Sequence, residues 1–163
     1  MKRANSSQIL ASSEFHDALQ NEIFLKGFKD YCQGEYNVEN LLFWLEVESF
    51  RQYDGNRREY AIKIYEAYVS PEGPLQINIS QQLRTSITWP LPDPIHPSIF
   101  DELQGHIFDT MKIDSLPRFI KTEQYRVILN LKDQGFFFFF CFFFVFLFVF
   151  FPLLFLPLSK IIN

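Results

Sequence analysis

The chain has 163 residues, a length that one domain with a single hydrophobic core typically reaches. It carries 15 Lys and Arg residues against 19 Asp and Glu residues without a block of like charge, so it lacks the clustered basic residues that bind nucleic acid. Two cysteines are too few for a disulfide framework, and the polar residues 1–13 lack the apolar stretch of a secretory signal, so we expect a cytoplasmic protein.

Apolar residues recur at helical spacing up to the Phe-rich end, and no stretch shows the strict alternation of a half-buried strand, which predicts an all-α fold. Ser12 and Ser13 are suited to cap a short first helix. Asn21 is suited to cap a second helix that ends at Gly34, a residue that tolerates the left-handed conformation. Cys32 lies on the apolar face of this second helix, where we expect a small buried side chain and not a reactive thiol.

Asn37 is suited to cap the third helix, which is the most apolar of the chain. Residues 41–47 leave its first turns almost no polar face, so we expect this helix to lie at the centre of the fold. The turn-forming residues 53–56 end it. A fourth helix is predicted over residues 57–69, and the Pro-Glu-Gly-Pro run of residues 71–74 stops it.

Three further helices are predicted in the second half of the chain. Ser80 is suited to cap a short one, which is followed by four prolines within residues 90–97 that exclude regular structure. Ser98 begins a capping-box pattern that opens the next helix. Another helix begins at Asp114, because Pro117 is tolerated within a first helical turn. The pattern indicates a compact bundle of about eight short helices.

Residues 136–158 form a Phe-rich hydrophobic low-complexity segment of 23 residues without a charge. As a helix, the segment is long enough to cross about 30 Å of hydrocarbon. Membrane spans usually mix branched and small residues, whereas translation of a polypyrimidine tract would give a run that is chiefly Phe. Three interpretations stay open, namely a gene-model artefact, a membrane segment and a buried core element.

Three stretches carry motifs of one known family, in the family's order. Residues 28–44 contain ENLLFW, residues 77–84 begin with INIS, and residues 100–119 end with DSLPRF. Together these stretches resemble a regulator of G-protein signalling (RGS) domain, which we place at residues 14–130, after the polar segment 1–13. The resemblance implies a compact RGS-type bundle of about nine short helices.

The resemblance also implies a function. RGS domains bind the switch regions of GTP-loaded heterotrimeric G-protein α subunits (Gα), accelerate GTP hydrolysis and thereby attenuate receptor signalling. The chemistry belongs to Gα, which carries its own arginine and a glutamine that orients the attacking water. The chain is therefore expected to be an activator of a partner's GTPase and not an enzyme itself, with no cofactor and no metal.

Carried over residue by residue, the resemblance implies Gα contacts in three segments. These residues are Glu35, Asn37, Glu39 and Asn40 before and within the central helix, Asn78 beside the catalytic glutamine, and Asp114, Ser115 and Arg118. Each also has a structural interpretation on its own. Asn37 is placed as a helix cap, Asn40 and Asn78 could satisfy loop or turn backbone, and Asp114 could form an i,i+4 ion pair with Arg118.

Two other functions stay open. RGS-like domains also serve as protein-binding scaffold modules without GTPase-activating activity, and two departures from the family pattern, Thr110 and Val38, lie at or near the contact segments. An enzyme is poorly supported, because the three histidines show no metal-ligand spacing and no phosphate-binding loop is present. Contact with a membrane is expected only through the Phe-rich segment.

Overall fold

The computed structural model describes residues 12–130, so most of the predicted segment 1–13 and all of the Phe-rich segment 136–158 lie outside the described residues. Contacts divide the chain into two compact units, Met1–Thr122 and Glu123–Asn163. In the second unit, the described residues 123–130 are helical. Among the residues that the structure describes, no helix is both long and apolar enough to cross a membrane.

The described part of the first unit contains seven α-helices. They are α1 (Ser12–Leu19), α2 (Glu22–Gly34), α3 (Val38–Gln52), α4 (Arg57–Ile64), α5 (Gln81–Ser86), α6 (Asp101–Thr110) and α7 (Leu116–Phe119). A π-helical segment, Tyr65–Val69, continues α4, and a second one, Met111–Ser115, joins α6 to α7. The described residues contain no strand, which confirms the predicted all-α fold. These seven helices of the described part are fewer than the nine or so that the family resemblance implied.

Two predicted helix caps are present. The Asn21 side chain accepts a hydrogen bond from the backbone N–H of Phe24 at 3.0 Å, where α2 begins. The Ser80 hydroxyl accepts one from the N–H of Leu83 at 3.2 Å, where α5 begins. Both caps satisfy donors that the first helical turn leaves without an intrahelical acceptor. Local side-chain chemistry was therefore enough to locate these two helix starts.

One other local prediction is confirmed and one is wrong. The second helix ends at Gly34, as predicted, although the left-handed conformation occurs at Tyr36, with φ 56°. Ser98 does not open a helix, because its hydroxyl oxygen lies 2.5 Å from Nδ1 of His96 and closes a turn. The helix α6 then begins at Asp101 without a side-chain cap. The Ser98 side chain thus takes part in a local turn and does not cap the helix.

The central helix α3 packs against α2, α4 and α6. Its residues Leu41, Phe43 and Val47 are fully buried, which confirms the prediction that this helix lies at the centre of the fold. Aromatic rings extend the core on both sides of α3. One group consists of Phe15, Phe24, Phe28, Phe108 and Phe119, and the other of Phe43, Phe50, Tyr60, Tyr68 and Phe100.

The helix predicted to start at Asp114 is instead the end of one continuous helical stretch from Asp101 to Phe119. In its π-helical part, the backbone N–H of Leu116 bonds to the carbonyl of Met111, five residues earlier. Pro117 follows directly, and a proline inside an α-helix both lacks a donor and crowds the preceding turn. The wider π-helical turn is the geometry in which this proline is accommodated, and it carries two of the predicted contact residues.

Candidate functional site

Five of the predicted contact residues lie together, although they come from two distant stretches of the sequence. Nη2 of Arg118 lies 3.0 Å from Oδ2 of Asp114 and 3.7 Å from Oε2 of Glu35. Next to them in sequence, Nδ2 of Asn37 donates a hydrogen bond to Oγ of Ser115 at 3.3 Å. We call these five residues the polar cluster. Two of its links join the segment before α3 to the end of the α6–α7 stretch.

The charged members of the polar cluster remain open to solvent. The side chains of Glu35, Asp114 and Arg118 are all between two-fifths and three-fifths exposed. Ion pairs this exposed contribute little to folding stability, because water and salt screen them. The two carboxylates and one guanidinium give the surface a net negative charge. The charged part of the cluster is therefore suited to contact another molecule and is not needed to hold the fold.

The amide side chains of this region each have a buried oxygen atom. Asn37 occupies the cap position of α3, but its side chain makes no cap hydrogen bond and bonds to Ser115 instead, so the capping prediction is wrong. Asn37 is half-buried, whereas Asn40, on the first turn of α3, is buried. Within residues 12–130, Oδ1 of Asn37 and Oδ1 of Asn40 have no hydrogen-bond partner. Buried carbonyl oxygens of this kind are strong acceptors in a region of low dielectric constant.

Glu39 lies half-buried in the first turn of α3, between these two amides. A carboxylate at this end of a helix interacts favourably with the helix dipole. Behind it, the Cys32 thiol is fully buried, as the sequence predicted. Burial, reinforced by the negative charge of Glu39, raises the pKa of Cys32 to about 12. This thiol is therefore protonated and unreactive at neutral pH.

Asn78 is exposed in the segment that connects the first π-helical segment to α5. Its neighbours Ile77 and Ile79 are both buried, so the extended backbone between them directs the Asn78 side chain away from the core. Among the residues that the structure describes, no hydrogen bond or ion pair joins Asn78 to the polar cluster. Asn78 is therefore a separate part of the candidate site.

Arg84 supports the Asn78 segment, a role that the sequence analysis did not assign. This buried arginine of α5 donates hydrogen bonds to the carbonyl of Val69 and, at 3.4 Å, to the carbonyl of Ile77. The backbone N–H of Ile77 in turn donates to the carbonyl of Tyr68 at 3.0 Å. The available signal was spacing, because Arg84 lies three residues before the buried Ile87 and so shares its helix face.

Gly73 brings the same segment close to the end of the preceding helix. A Cβ atom at this position would lie 2.5 Å from the carbonyl oxygen of Ala67 and 2.8 Å from that of Glu66. Two residues later, the N–H of Leu75 donates to the Ala67 carbonyl at 3.0 Å. The Pro-Glu-Gly-Pro run thus stops the helix, as predicted, and its glycine also allows the backbone to fold back onto the helix end.

Two exposed apolar residues flank the polar cluster and were not predicted as part of the site. Tyr36 follows Glu35 and is 93% exposed, and Ile113 precedes Asp114 and is 77% exposed. They are the most exposed of the large apolar side chains in the described residues. Sequence periodicity gave no reason to select them, since it identifies apolar residues that are buried. Thr110, one of the family departures, bonds its hydroxyl to the His106 carbonyl of its own helix at 2.9 Å.

The part of the chain that the structure describes has no group of three or more His, Cys, Asp or Glu side chains that could hold a metal ion. Among the described contacts of the polar cluster, no nucleophile lies beside a base. What it offers is a partly rigid surface of carboxylate, amide, hydroxyl and guanidinium groups at helix ends, with exposed apolar side chains beside it. Such a surface is suited to protein recognition.

Comparisons with known proteins agree on one family. A family model described as "Regulator of G protein signaling domain" matches residues 14–128. The chain is 33% identical over 116 residues to Regulator of G-protein signaling 10 of Rattus norvegicus, covering 70% of this chain and 63% of that protein. It is 36% identical over 110 residues to Regulator of G-protein signaling 5 of Sus scrofa, covering 66% of this chain and 60% of that protein. The chain thus spans less than two thirds of the length of these curated relatives.

Proposed function

This chain belongs to the regulator of G-protein signalling family, and we propose that it binds the switch regions of a GTP-loaded Gα subunit and accelerates GTP hydrolysis there. The observation that carries the proposal is the polar cluster. Residues from two of the three family motifs, far apart in sequence, form one surface whose charged groups are open to solvent. By this activity the chain attenuates receptor signalling as an activator of a partner's GTPase.

In this proposal the catalytic groups belong to Gα, which supplies an arginine and a water-orienting glutamine. The chain contributes binding energy that is larger for the transition-state shape of the switch regions than for their ground-state shape. Each difference of about 1.4 kcal/mol between the two corresponds to a tenfold change in the rate. No arginine of this chain needs to enter the nucleotide site.

The geometry supports this mode of action because the contact groups are already held in place. Asn37 and Ser115 bond to each other, and Arg118 links the segment of Glu35 to the turn of Asp114. Side chains that are ordered before binding lose less conformational entropy when the complex forms. In the complex, the carboxylates of Glu35, Glu39 and Asp114 accept hydrogen bonds from Gα.

Asn78 has a different role in the proposal, because it stands apart from the polar cluster. We assign its side chain to the position beside the catalytic glutamine of Gα. Its exposure and the fixed backbone around it favour this role, since Ile77 and Ile79 anchor the segment on both sides. A short amide held in this way contacts a partner without first being ordered by it.

The test is single-turnover GTP hydrolysis by a panel of purified Gα subunits, with and without the full chain kept soluble by a mild detergent. We expect the chain to accelerate hydrolysis by at least one Gα class and Asn78→Ala to abolish most of the acceleration. Gln76→Ala is the matched control, because Gln76 is an exposed amide of the same segment, two residues away. Neither substitution removes a buried group, so both variants should unfold at the same temperature as the parent chain.

Equal acceleration by the parent chain and the Asn78→Ala variant would contradict the role of Asn78. A folded chain that binds Gα without accelerating hydrolysis would instead support the alternative, a protein-binding scaffold module. The cytoplasmic location, with the Phe-rich segment as a candidate membrane anchor, belongs to the same proposal. Cell fractionation with an antibody to the folded domain tests it, and recovery outside the cytosolic and membrane fractions would contradict it.

A further inference from the structure

A groove lies between α1, α3 and α6, and no residue of the polar cluster lines it. Its volume is about 490 Å³, which is in the range of cavities that hold small molecules. Both aromatic and charged side chains line the groove, and the proposed function uses none of them. The aromatic ones are His16, Trp44 and Phe108, and the charged ones are Glu48, Arg51 and Asp101.

The aromatic part of the groove is held in place by the core. Trp44 is buried, and its ring centroid lies 6.1 Å from that of Phe108 and 5.6 Å from that of His16. Phe108 in turn packs against the fully buried Phe15, with ring centroids 5.1 Å apart. Aromatic side chains that are fixed in this way lose little conformational entropy when a ligand covers them. This part of the groove is therefore suited to the apolar body of a small molecule.

The charged part of the groove favours a positively charged ligand. Arg51 donates hydrogen bonds to Oε1 of Glu48 and to Oδ1 of Asp101, each at 2.7 Å, so its own charge is compensated. The hydrogen bonds of the described residues leave Oε2 of Glu48 and Oδ2 of Asp101 without a donor. Two carboxylates and one guanidinium leave one negative charge in excess. An ammonium group can therefore pair with these carboxylates, whereas an anion would meet repulsion.

Gly105 lines the groove without a side chain, in the middle of α6. A Cβ atom at this position would meet no heavy atom within 4 Å, so packing within the described residues does not require a glycine there. Glycine is also a poor helix former, so the helix itself does not favour it. Asp101 lies four residues before Gly105 and Phe108 three residues after it, so the three share one helix face. A longer side chain between them would fill the groove, which the glycine keeps open.

We propose that this groove is a binding site for a small organic cation. The ammonium group pairs with the carboxylates of Glu48 and Asp101, and the apolar body lies over Gly105 against Phe108. The proposed function does not include this site, and its test needs no Gα subunit. A failure of the GTP hydrolysis test would therefore leave the cation site standing, and the reverse also holds.

The first test compares probes of nearly equal size and different charge. The full chain, labelled with ¹⁵N and kept soluble by a mild nonionic detergent, is titrated with phenethylammonium, with phenethyl alcohol and with hydrocinnamate. We expect phenethylammonium to shift the NMR signals of the Gly105 amide and the Trp44 indole saturably. It should bind about twofold to fivefold more tightly than the alcohol, the range for an exposed ion pair, and the anionic hydrocinnamate should bind most weakly. Equal affinity for the three probes, or no saturable shift with phenethylammonium, would overturn the proposal.

The second test fills the groove. Gly105→Leu places a side chain between Asp101 and Phe108, and we expect it to abolish the saturable binding of phenethylammonium. Leucine is a better helix former than glycine, so the variant should unfold at no lower temperature than the parent chain. His106→Leu is the matched control, because His106 is the exposed neighbour on the same helix and does not line the groove. Binding by Gly105→Leu that equals binding by His106→Leu would contradict the site.

The third test removes one charge and leaves the shape of the groove unchanged. Asp101→Asn should weaken the binding of phenethylammonium about twofold to fivefold, because one carboxylate of the exposed pair is lost. The binding of phenethyl alcohol should stay the same. This variant also decides the matter if Gly105→Leu does not fold, since an unchanged affinity of Asp101→Asn for the cation would rule out the assigned role of the carboxylates.

Discussion

At the level of the single residue, three asparagines of the candidate site differ in the exposure of their side chains. Asn37 directly precedes the central helix and Asn40 lies in its first turn; Asn40 is buried, and each amide has a buried oxygen. Asn78 is exposed between two buried isoleucines. Substituting a buried amide leaves polar groups or space inside the protein, whereas substituting an exposed one removes only the contact with a partner. Asn78 is therefore the residue at which function is most cleanly separated from stability.

The buried thiol of Cys32 and the half-buried phenol of Tyr60 give the domain a predictable response to alkaline pH. Burial raises the pKa of Cys32 from 9.0 to about 12, and burial together with Glu46 raises the pKa of Tyr60 from 10.0 to about 12. The unfolded chain releases both protons at lower pH than the folded chain does. Stability is therefore full below about pH 9 and falls as the pH rises towards 12.

Urea unfolding between pH 7 and pH 11 checks this expectation. Cys32→Ala should remove the part of the decline that begins near pH 9, and Tyr60→Phe the part that begins near pH 10. Each substitution also lowers stability at pH 7, so the comparison is between slopes and not between absolute values. A decline that is unchanged in both variants would show that other groups cause the alkaline unfolding.

At the level of elements, both π-helical segments adjoin candidate contact residues. The segment Tyr65–Val69 ends a helix whose last carbonyls receive the backbone of residues 75–77, next to Asn78. The segment Met111–Ser115 contains Asp114 and Ser115. A π-helical turn leaves the regular α-helical register, which changes the direction of the side chains that follow it. Both contact segments therefore depend on a local departure from regular helix.

Arg84 connects α5 to the segment that carries Asn78, and we expect this connection to hold the segment in place. Arg84→Met should lower the free energy of unfolding by about 1–3 kcal/mol, because the buried Val69 carbonyl loses its donor. Hydrogen exchange should also become faster at the N–H of Ile77, which bonds to the Tyr68 carbonyl in the same segment. Mass spectrometry of deuterated peptides from residues 70–80 measures this change.

The conservative variant Arg84→Lys serves as the comparison. A lysine keeps the positive charge and can donate a hydrogen bond to one of the two carbonyls. It cannot form the two separate hydrogen bonds of a guanidinium. We expect its exchange rate to lie between those of the parent chain and Arg84→Met. If Arg84→Met leaves the exchange of residues 70–80 unchanged, the segment is held by Ile77 and Ile79 alone.

At the level of the whole molecule, the stability of the bundle depends on groups that lie away from the polar cluster. Arg51 of α3 donates hydrogen bonds to Glu48, Asp101 and Gln104, and so connects the central helix to α6. Gln104 is buried and also donates to the backbone carbonyl of Trp44 at 3.1 Å. This network fixes the packing of the two helices that carry the contact segments at their ends.

Arg51→Ala should therefore lower stability without a direct effect on the binding surface. We expect a decrease of about 1–2 kcal/mol in the free energy of unfolding, because the buried Gln104 oxygen loses its donor. Lys63→Ala, which removes an exposed i,i+4 pair with Glu59, should change stability little. Below the unfolding temperature, both variants should accelerate GTP hydrolysis as the parent chain does, and a loss for Arg51→Ala alone would connect this network to the contact surface.

The sequence by itself determined the all-α fold, most helix positions and the buried faces, as well as the family. Helix periodicity and side-chain caps such as Asn21 and Ser80 are local, because they depend on residues only three or four positions apart. Its local errors fell at the expected caps Ser98 and Asn37, whose side chains bond elsewhere and do not cap a helix.

Only the tertiary structure decided which polar groups meet. The bond between Asn37 and Ser115 joins residues 78 positions apart, and neither helix pattern specifies how the helices pack against each other. The burial of Arg84 and the ion pair between Arg118 and Glu35 likewise arise from packing between elements. A helix pattern predicts which face of the helix is buried but not which residues pack against that face. The surface of this domain is therefore defined by the packing of its helices.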